Sequence, residues 1–172
     1  PAFSDWLSHF EGTPAQRQDT KGEFTRGSIA ITGRFEDDIC KFFCLDSDNA
    51  LGTEIVMSKL VPLLRKHNIE FIYADSGEDG ERCHLWILVD CKFAFLCRWT
   101  ENIFFQAGVD WRDPKYSFEL YPTIKENFCI RNEGSTHLKT GKINTVTYNG
   151  EVLSDSVEIL QAFVDCKQYT QE

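Results

Sequence analysis

Asp46 and Asp48 stand two residues apart at the end of the apolar run Phe42-Phe43-Cys44-Leu45. Residues i and i+2 of an extended chain share a face, so both carboxylates point the same way if the strand continues. Neighbouring carboxylates repel unless a cation sits between them, and Mg2+ or Mn2+ prefers such hard oxygen ligands. The plainer alternative is a solvated acidic turn. An EF-hand calcium loop is excluded, because Ala50, Leu51 and Met57 occupy positions that need a ligand, a glycine and a glutamate.

Three further groups have chemistry to offer. His84 alternates with Trp86 and Leu88, a pattern that more often marks a satisfied core or surface histidine than a ligand. Glu119 interrupts the apolar residues Phe118 and Leu120; it reads either as an edge-strand charge facing water or as a third site acid. The segment from Gly134 to Gly141 holds Ser135, Thr136, His137, Lys139 and Thr140, with Arg131 just before it. Hydroxyls, amides and cations of this kind can wrap phosphates, although the same composition describes an ordinary polar loop. It is not a Walker A loop: the glycine spacing is wrong, and Ile143 follows Gly141-Lys142 where Ser or Thr is required.

The elements that must position these residues follow from periodicity. Residues 39–45 form a continuous apolar run and predict a buried strand. Residues 53–67 predict a helix with Val56, Leu60, Leu63 and Leu64 on one side, kinked or split at Pro62. Residues 69–74 and 82–90 predict two strands joined by a turn over 76–81. Residues 93–107 predict a helix stopped by Gly108, and 117–121 a fourth strand. The order is β-α-β-β-α-β, an α/β (α+β) unit of the ferredoxin-like or RNA-recognition type. In that topology the first and third strands lie together in the middle and the fourth flanks the first. Asp46, Asp48, His84 and Glu119 then fall on neighbouring strands, on the face the helices leave open.

Outside this unit the pattern is weaker. Phe3, Trp6, Leu7 and Phe10 have helical spacing with Ser4 as a cap, 12–27 reads as a polar loop, and 28–33 as a strand. After the unit come a loop over 125–142, a hairpin centred on Asn149-Gly150 and a last helix over 154–166. The reading is one domain over 1–172: an N-terminal helix and loop to 27, a core over 28–150, and a C-terminal helical segment over 151–172.

Composition sets the outer bounds. With 172 residues, 42% hydrophobic and 26% charged, the chain is long enough and apolar enough for one folded core. No apolar run is long enough to span a membrane and no secretory signal stands at the start. The start at Pro1 in place of Met is read as processing or trimming. Seven cysteines without a CxxC pair predict reduced, mostly buried thiols in an intracellular, cytoplasmic or nuclear compartment, with no structural zinc. The net charge of −9 opposes a broad nucleic-acid-binding surface and leaves room only for a narrow basic groove or a partner that supplies grip.

In order and spacing, these pieces resemble the archaeo-eukaryotic primase superfamily, which includes primase small subunits, primase-polymerases and the polymerase domains of bacterial end-joining ligases. Three signatures carry the resemblance, over roughly residues 28 to 150. They are the apolar strand ending in Asp46-Ser47-Asp48, the stretch from Ser76-Gly77 through Cys83-His84-Leu85-Trp86, and Glu119 followed by Arg131 and then Ser135-Thr136-His137-Leu138-Lys139-Thr140-Gly141. The third acid is Glu where primase small subunits usually carry Asp, and the turn Glu78-Asp79-Gly80-Glu81 is acidic where relatives often carry a basic residue.

The resemblance implies a metal-dependent, template-directed nucleotidyltransferase, a DNA primase or primase-polymerase of replication or repair. Asp46, Asp48 and Glu119 would be the catalytic acids and ligands of two Mg2+ or Mn2+ ions. Ser76, His84, Arg131, Ser135, His137 and Lys139 would contact the triphosphate. The partners implied are nucleoside triphosphates, a single-stranded or primed template, and an accessory domain or protein, with no membrane. Two other readings use the same fold: a catalytically weak nucleotide- or nucleic-acid-binding module within a larger complex, and a generic RNA-recognition domain. The second predicts exposed aromatics on the central strands, where this chain has Asp46, Asp48 and His84.

Overall fold

A computed structural model of the chain describes residues 15–18, 24–27, 30–31, 36–76, 80–123, 130–131, 133–134 and 143–171. Its first feature departs from the sequence reading. Within the stretch read as a loop, β1 (Ala15–Gln18) and β2 (Phe24–Gly27) pair antiparallel as a two-stranded ribbon. Such a ribbon satisfies its backbone without an alternating apolar face, so composition gave no sign of it. β3 (Ala30–Ile31) is the short realisation of the strand read at 28–33. The helix read around Phe3–Phe10 lies outside the described residues.

β4 (Ile39–Ser47) is an interior strand of the main sheet and extends two residues beyond the apolar run, so Asp46 lies within it. Asn49 then caps α1 (Ala50–Ile55), its Oδ1 accepting from the Gly52 amide at 2.7 Å. This cap starts the helix three residues before the predicted start at 53. A five-residue π segment (Val56–Leu60) joins α1 to α2 (Val61–Lys66). The Val61 amide donates to the Val56 carbonyl five residues back, and Pro62 falls in the first turn of α2. The predicted break at Pro62 is therefore a local widening, with Pro62 falling where the ladder has opened to five-residue spacing.

β5 (Ile72–Asp75) and β6 (Cys83–Lys92) form the expected antiparallel pair, and α3 (Phe93–Ala107) runs from Lys92 to Gly108 as read. β7 (Phe118–Tyr121) follows a 3-10 turn at Pro114–Tyr116. β8 (Ile130–Arg131) pairs with β3, inside the segment read wholly as loop. β9 (Thr145–Tyr148) and β10 (Glu151–Leu153) make the hairpin, turning at Asn149 and Gly150 with both residues at positive φ. α4 (Ser156–Asp165) is capped by Asp155, and β11 (Tyr169–Thr170) pairs parallel with the far end of β6.

The main sheet runs β10-β9-β5-β6-β4-β7, every neighbouring pair antiparallel. The fold is mixed α+β. One sheet face presents Phe43, Leu45, Leu85, Ile87 and Val89 to Val56, Leu60 and Leu64 of the first helical stretch and to Leu96, Ile103 and Phe104 of α3. Each fully buried side chain of this size stabilises the fold by roughly 1.5–3 kcal/mol. The other face is not left open as the sequence reading expects. Phe42, Cys44, Ile72, Trp86, Tyr121 and Val146 are covered by Ile159 and Phe163 of α4 and by Ile130. At the end that carries Asp46, the same face holds the buried side chains of His84 and Glu133. No helix among the described residues is long and apolar enough to cross a membrane.

Candidate functional site

Asp46 is opposite His84 on one side and opposite Glu119 on the other, in the registers of β4 with β6 and with β7. Directly opposed residues of antiparallel strands project to the same face. The three therefore form one row across the sheet, with Ala74 of β5 continuing it beyond His84. Asp48 lies one residue past β4, its amide donating to the Ser117 carbonyl at 3.3 Å. The placement of Asp46 and Glu119 on one face is the arrangement the sequence reading requires.

The turn that carries Asp48 is fixed from two directions. Asn49 Nδ2 donates to the Lys115 carbonyl and to Ser117 Oγ, both at 2.9 Å, which ties the end of β4 to the start of β7. Gly52 allows the close approach: a Cβ there would collide with the Tyr116 carbonyl oxygen and Ser47 Oγ. These contacts set the spacing between the Asp46-x-Asp48 turn and the strand of Glu119.

The acids sense one another. Burial first, then the charge of Asp46, raises the Asp48 carboxyl above its usual range; Glu119 adds to the rise and Arg82, 3.8 Å away, opposes it. Glu119 is exposed on the edge strand, and its Oε2 accepts from the Tyr121 hydroxyl at 2.7 Å. Burial and this carboxylate push the Tyr121 phenol upward.

His84 is 6% exposed and turns both ring nitrogens to carboxylates. Nδ1 is hydrogen-bonded to Glu133 Oε1, and Nε2 lies 3.4 Å from Asp46 Oδ1. The second contact is an ion-pair distance without hydrogen-bond alignment, and Asp46 Oδ1 is buried with no hydrogen-bond partner. Burial of the ring disfavours its charge, but the Glu133 charge and the interactions with Asp46 and Glu133 outweigh it and lift the imidazole to about 10.

Sequence reading missed Glu133. It is 1% exposed, its Oε1 accepts from Trp86 Nε1 at 3.2 Å, and its Oε2 from Asn144 Nδ2 at 2.9 Å. An acid between Arg131 and Lys139 reads as a solvated counter-charge, and only tertiary contact reveals it as interior. The adjoining Gly134 has φ +79 and lies against Ile159, and its carbonyl accepts from Ser156 Oγ at 2.6 Å.

The predicted phosphate-binding residues are only partly described. Ser76 is half-buried, one residue past β5, at the same end of the sheet as Asp46, its amide donating to the Arg82 carbonyl. Arg131 lies on β8, its backbone paired with Ala30. Ser135, His137 and Lys139 lie outside the described residues.

Carboxylate oxygens are a hard donor set suited to Mg2+ or Mn2+, and the partnerless Asp46 Oδ1 is an oxygen that a cation would satisfy. Among the described residues no three His, Cys, Asp or Glu side chains are drawn together as a metal cluster. Asp48 and Glu119 are the exposed acids nearest Asp46 in the strand register that could join it around a cation. The six described cysteines, Cys40, Cys44, Cys83, Cys91, Cys97 and Cys166, form no disulfide.

No protein-family model matches the chain, and no curated protein matches it in sequence.

Proposed function

We propose that the chain is a metal-dependent nucleotidyltransferase of the primase–polymerase type, built on a ferredoxin-like unit formed by β4 to β7 with their intervening helices. The observation that carries this reading is the single row His84–Asp46–Glu119 across three adjacent strands, with Asp48 just beyond. The strand order β5-β6-β4-β7 agrees with that unit. Among the resemblances, the long match from Glu119 to Gly141 supports the assignment most.

In this reading Asp46, Asp48 and Glu119 hold two divalent cations. When bound, Mg2+ or Mn2+ would supply Lewis acidity to a primer 3′-hydroxyl and to the α-phosphate of the incoming nucleotide. The chain's own part is to position the acids on a rigid sheet and to neutralise phosphate charge. The triphosphate contacts proposed are Ser76, Arg131, Ser135, His137 and Lys139. His84 is a sixth candidate, but its enclosed ring already faces two carboxylates, so the assignment rests on the other five. The template, an accessory protein and an intracellular location belong to the same proposal.

The second reading is a catalytically weak nucleotide- or nucleic-acid-binding module. The enclosure of His84 and the net charge of −9 favour it. Incubation with template, labelled nucleotides and Mn2+ or Mg2+, with and without primer, separates the two. The enzyme reading expects nucleotide incorporation that stops on chelation. Nucleotide binding without any incorporation would replace it with the binding module.

A further inference from the structure

We propose that Glu133 is the positioning residue of the acidic site: through His84 it fixes the carboxylate of Asp46 for cation binding. The inference rests on the metal-dependent reading above and adds a residue that no motif in that reading contains.

Burying a carboxylate costs several kcal/mol or more unless partners compensate it. Glu133 is interior, yet it comes from a turn and not from a sheet position. Among the described residues, three groups on two segments converge on it: His84 Nδ1 and Trp86 Nε1 from β6, and Asn144 Nδ2 from just before β9. The Trp86 indole is itself held between Phe42, 5.1 Å away, and Phe163, 5.5 Å away. Ser156 Oγ anchors the next residue, Gly134, through its carbonyl. The carboxylate is therefore fixed in place before it meets the imidazole.

The imidazole has two nitrogens, and what one bonds to determines where the other points. With Nδ1 on Glu133 and the ring standing edge-on to Trp86 at 80°, Nε2 faces Asp46 Oδ1. A group that only neutralised a core histidine would not need its second nitrogen turned to a half-buried site acid. The chain Glu133–His84–Asp46 sets a ring nitrogen 3.4 Å from Asp46 Oδ1 and so biases where that carboxylate stands. His84 is one step behind the proposed ligand, a position whose loss typically changes metal affinity by about 10–100-fold, and Glu133 reaches Asp46 through it.

The test is titration of the full chain with Mn2+, read by electron paramagnetic resonance of the free ion, below the melting temperature of every variant. Glu133→Gln keeps the side-chain shape and an oxygen acceptor. Leu96→Ala removes buried apolar volume from the core on the opposite face of the sheet, so it reports what destabilisation alone does. Glu133→Gln is expected to weaken Mn2+ binding by about tenfold, and Leu96→Ala to leave it near wild type. In a His84→Ala background, Glu133→Gln should add nothing further. A Glu133→Gln variant that binds Mn2+ as the wild type does, or whose effect adds independently to that of His84→Ala, overturns the inference. A wild type that binds Mn2+ through Glu133 but extends no primer leaves the inference standing and removes the polymerase reading. A wild type that binds no Mn2+ removes both.

Discussion

Asp46 and Glu119 face each other directly across the antiparallel pairing of β4 and β7, with no residue of register between them. An acid pair at this separation carries mutual repulsion, and the pair is completed on the other side of Asp46 by His84. Asp48 extends the same negative potential past the strand end, which is why burial, Asp46 and Glu119 together raise its carboxyl. Negative charge concentrated at one sheet end is costly without a counter-ion and useful with one.

The first prediction follows from that cost. Asp48→Asn removes a repelling charge from a mostly exposed side chain, so it should change stability by no more than about 0.5 kcal/mol, in the stabilising direction if at all. Thermal melting without divalent ions should show an unchanged or slightly raised Tm. Added Mn2+ should raise the wild-type Tm more than that of the variant. A loss of many degrees without metal would show that Asp48 serves the fold instead.

Gly52→Ala should be damaging although Ala is the better helix former. The new methyl would collide with the Tyr116 carbonyl, Ser47 and Phe118. Backbone cannot yield as a flexible side chain can, so overpacking should cost on the order of 1–3 kcal/mol. Because the collision lies between α1 and the turn leading into β7, Mn2+ binding should weaken as well. Chemical denaturation and Mn2+ titration of this variant check both effects, and a gain in stability from helix propensity alone would contradict the packing account.

The alkaline limb of stability should involve Cys166. Burial and the nearby Glu70 carboxylate raise its thiol to about 11. A thiol raised in the folded state binds its proton more tightly there than in the unfolded chain. Its contribution is therefore complete below the unfolded value, near 9, and is lost as pH rises toward about 11. Denaturation midpoints measured between these limits should fall with pH, and Cys166→Ala should flatten part of the fall. At pH 8 the same thiol should resist alkylation until the chain unfolds.

Nucleic-acid binding by this chain alone should be weak and steeply salt-dependent. The net charge of −9 leaves few cations to release counter-ions from phosphates, so contacts must come from a small local cluster. Fluorescence anisotropy with a single-stranded oligonucleotide at increasing salt checks this. Tight binding that persists at high salt would require a basic surface that the composition does not supply.

The central unit was legible because its signals are local. The apolar run before Asp46, the helical period of 53–67 and 93–107, and the Asn149-Gly150 turn each fall where the structure has a strand, a helix or a hairpin. The start of α1 was less legible, since Asn49 caps a helix that begins at Ala50, three residues ahead of the predicted start at 53. The ribbon of β1 and β2 and the two-residue pairing of β3 with β8 carry no periodicity to read. Asp46, His84 and Glu119 were found because strand order alone brings them together. Glu133 was not, because its burial depends on a turn folding back over β6. The cover that α4 lays over the second sheet face also depends on tertiary docking, which an amphipathic pattern cannot assign to a particular face.

If the carboxylates at the end of β4 hold the cations of nucleotide transfer, extension of a labelled primer depends on them. The wild type and the double variant Asp46→Ala, Asp48→Ala are incubated with primed template, nucleoside triphosphates and Mn2+ or Mg2+, with circular dichroism showing that both are folded. The account predicts extension by the wild type, its loss on chelation, and background incorporation by the folded double variant. A double variant that extends primers as the wild type does, or a wild type inactive with both metals, would contradict it.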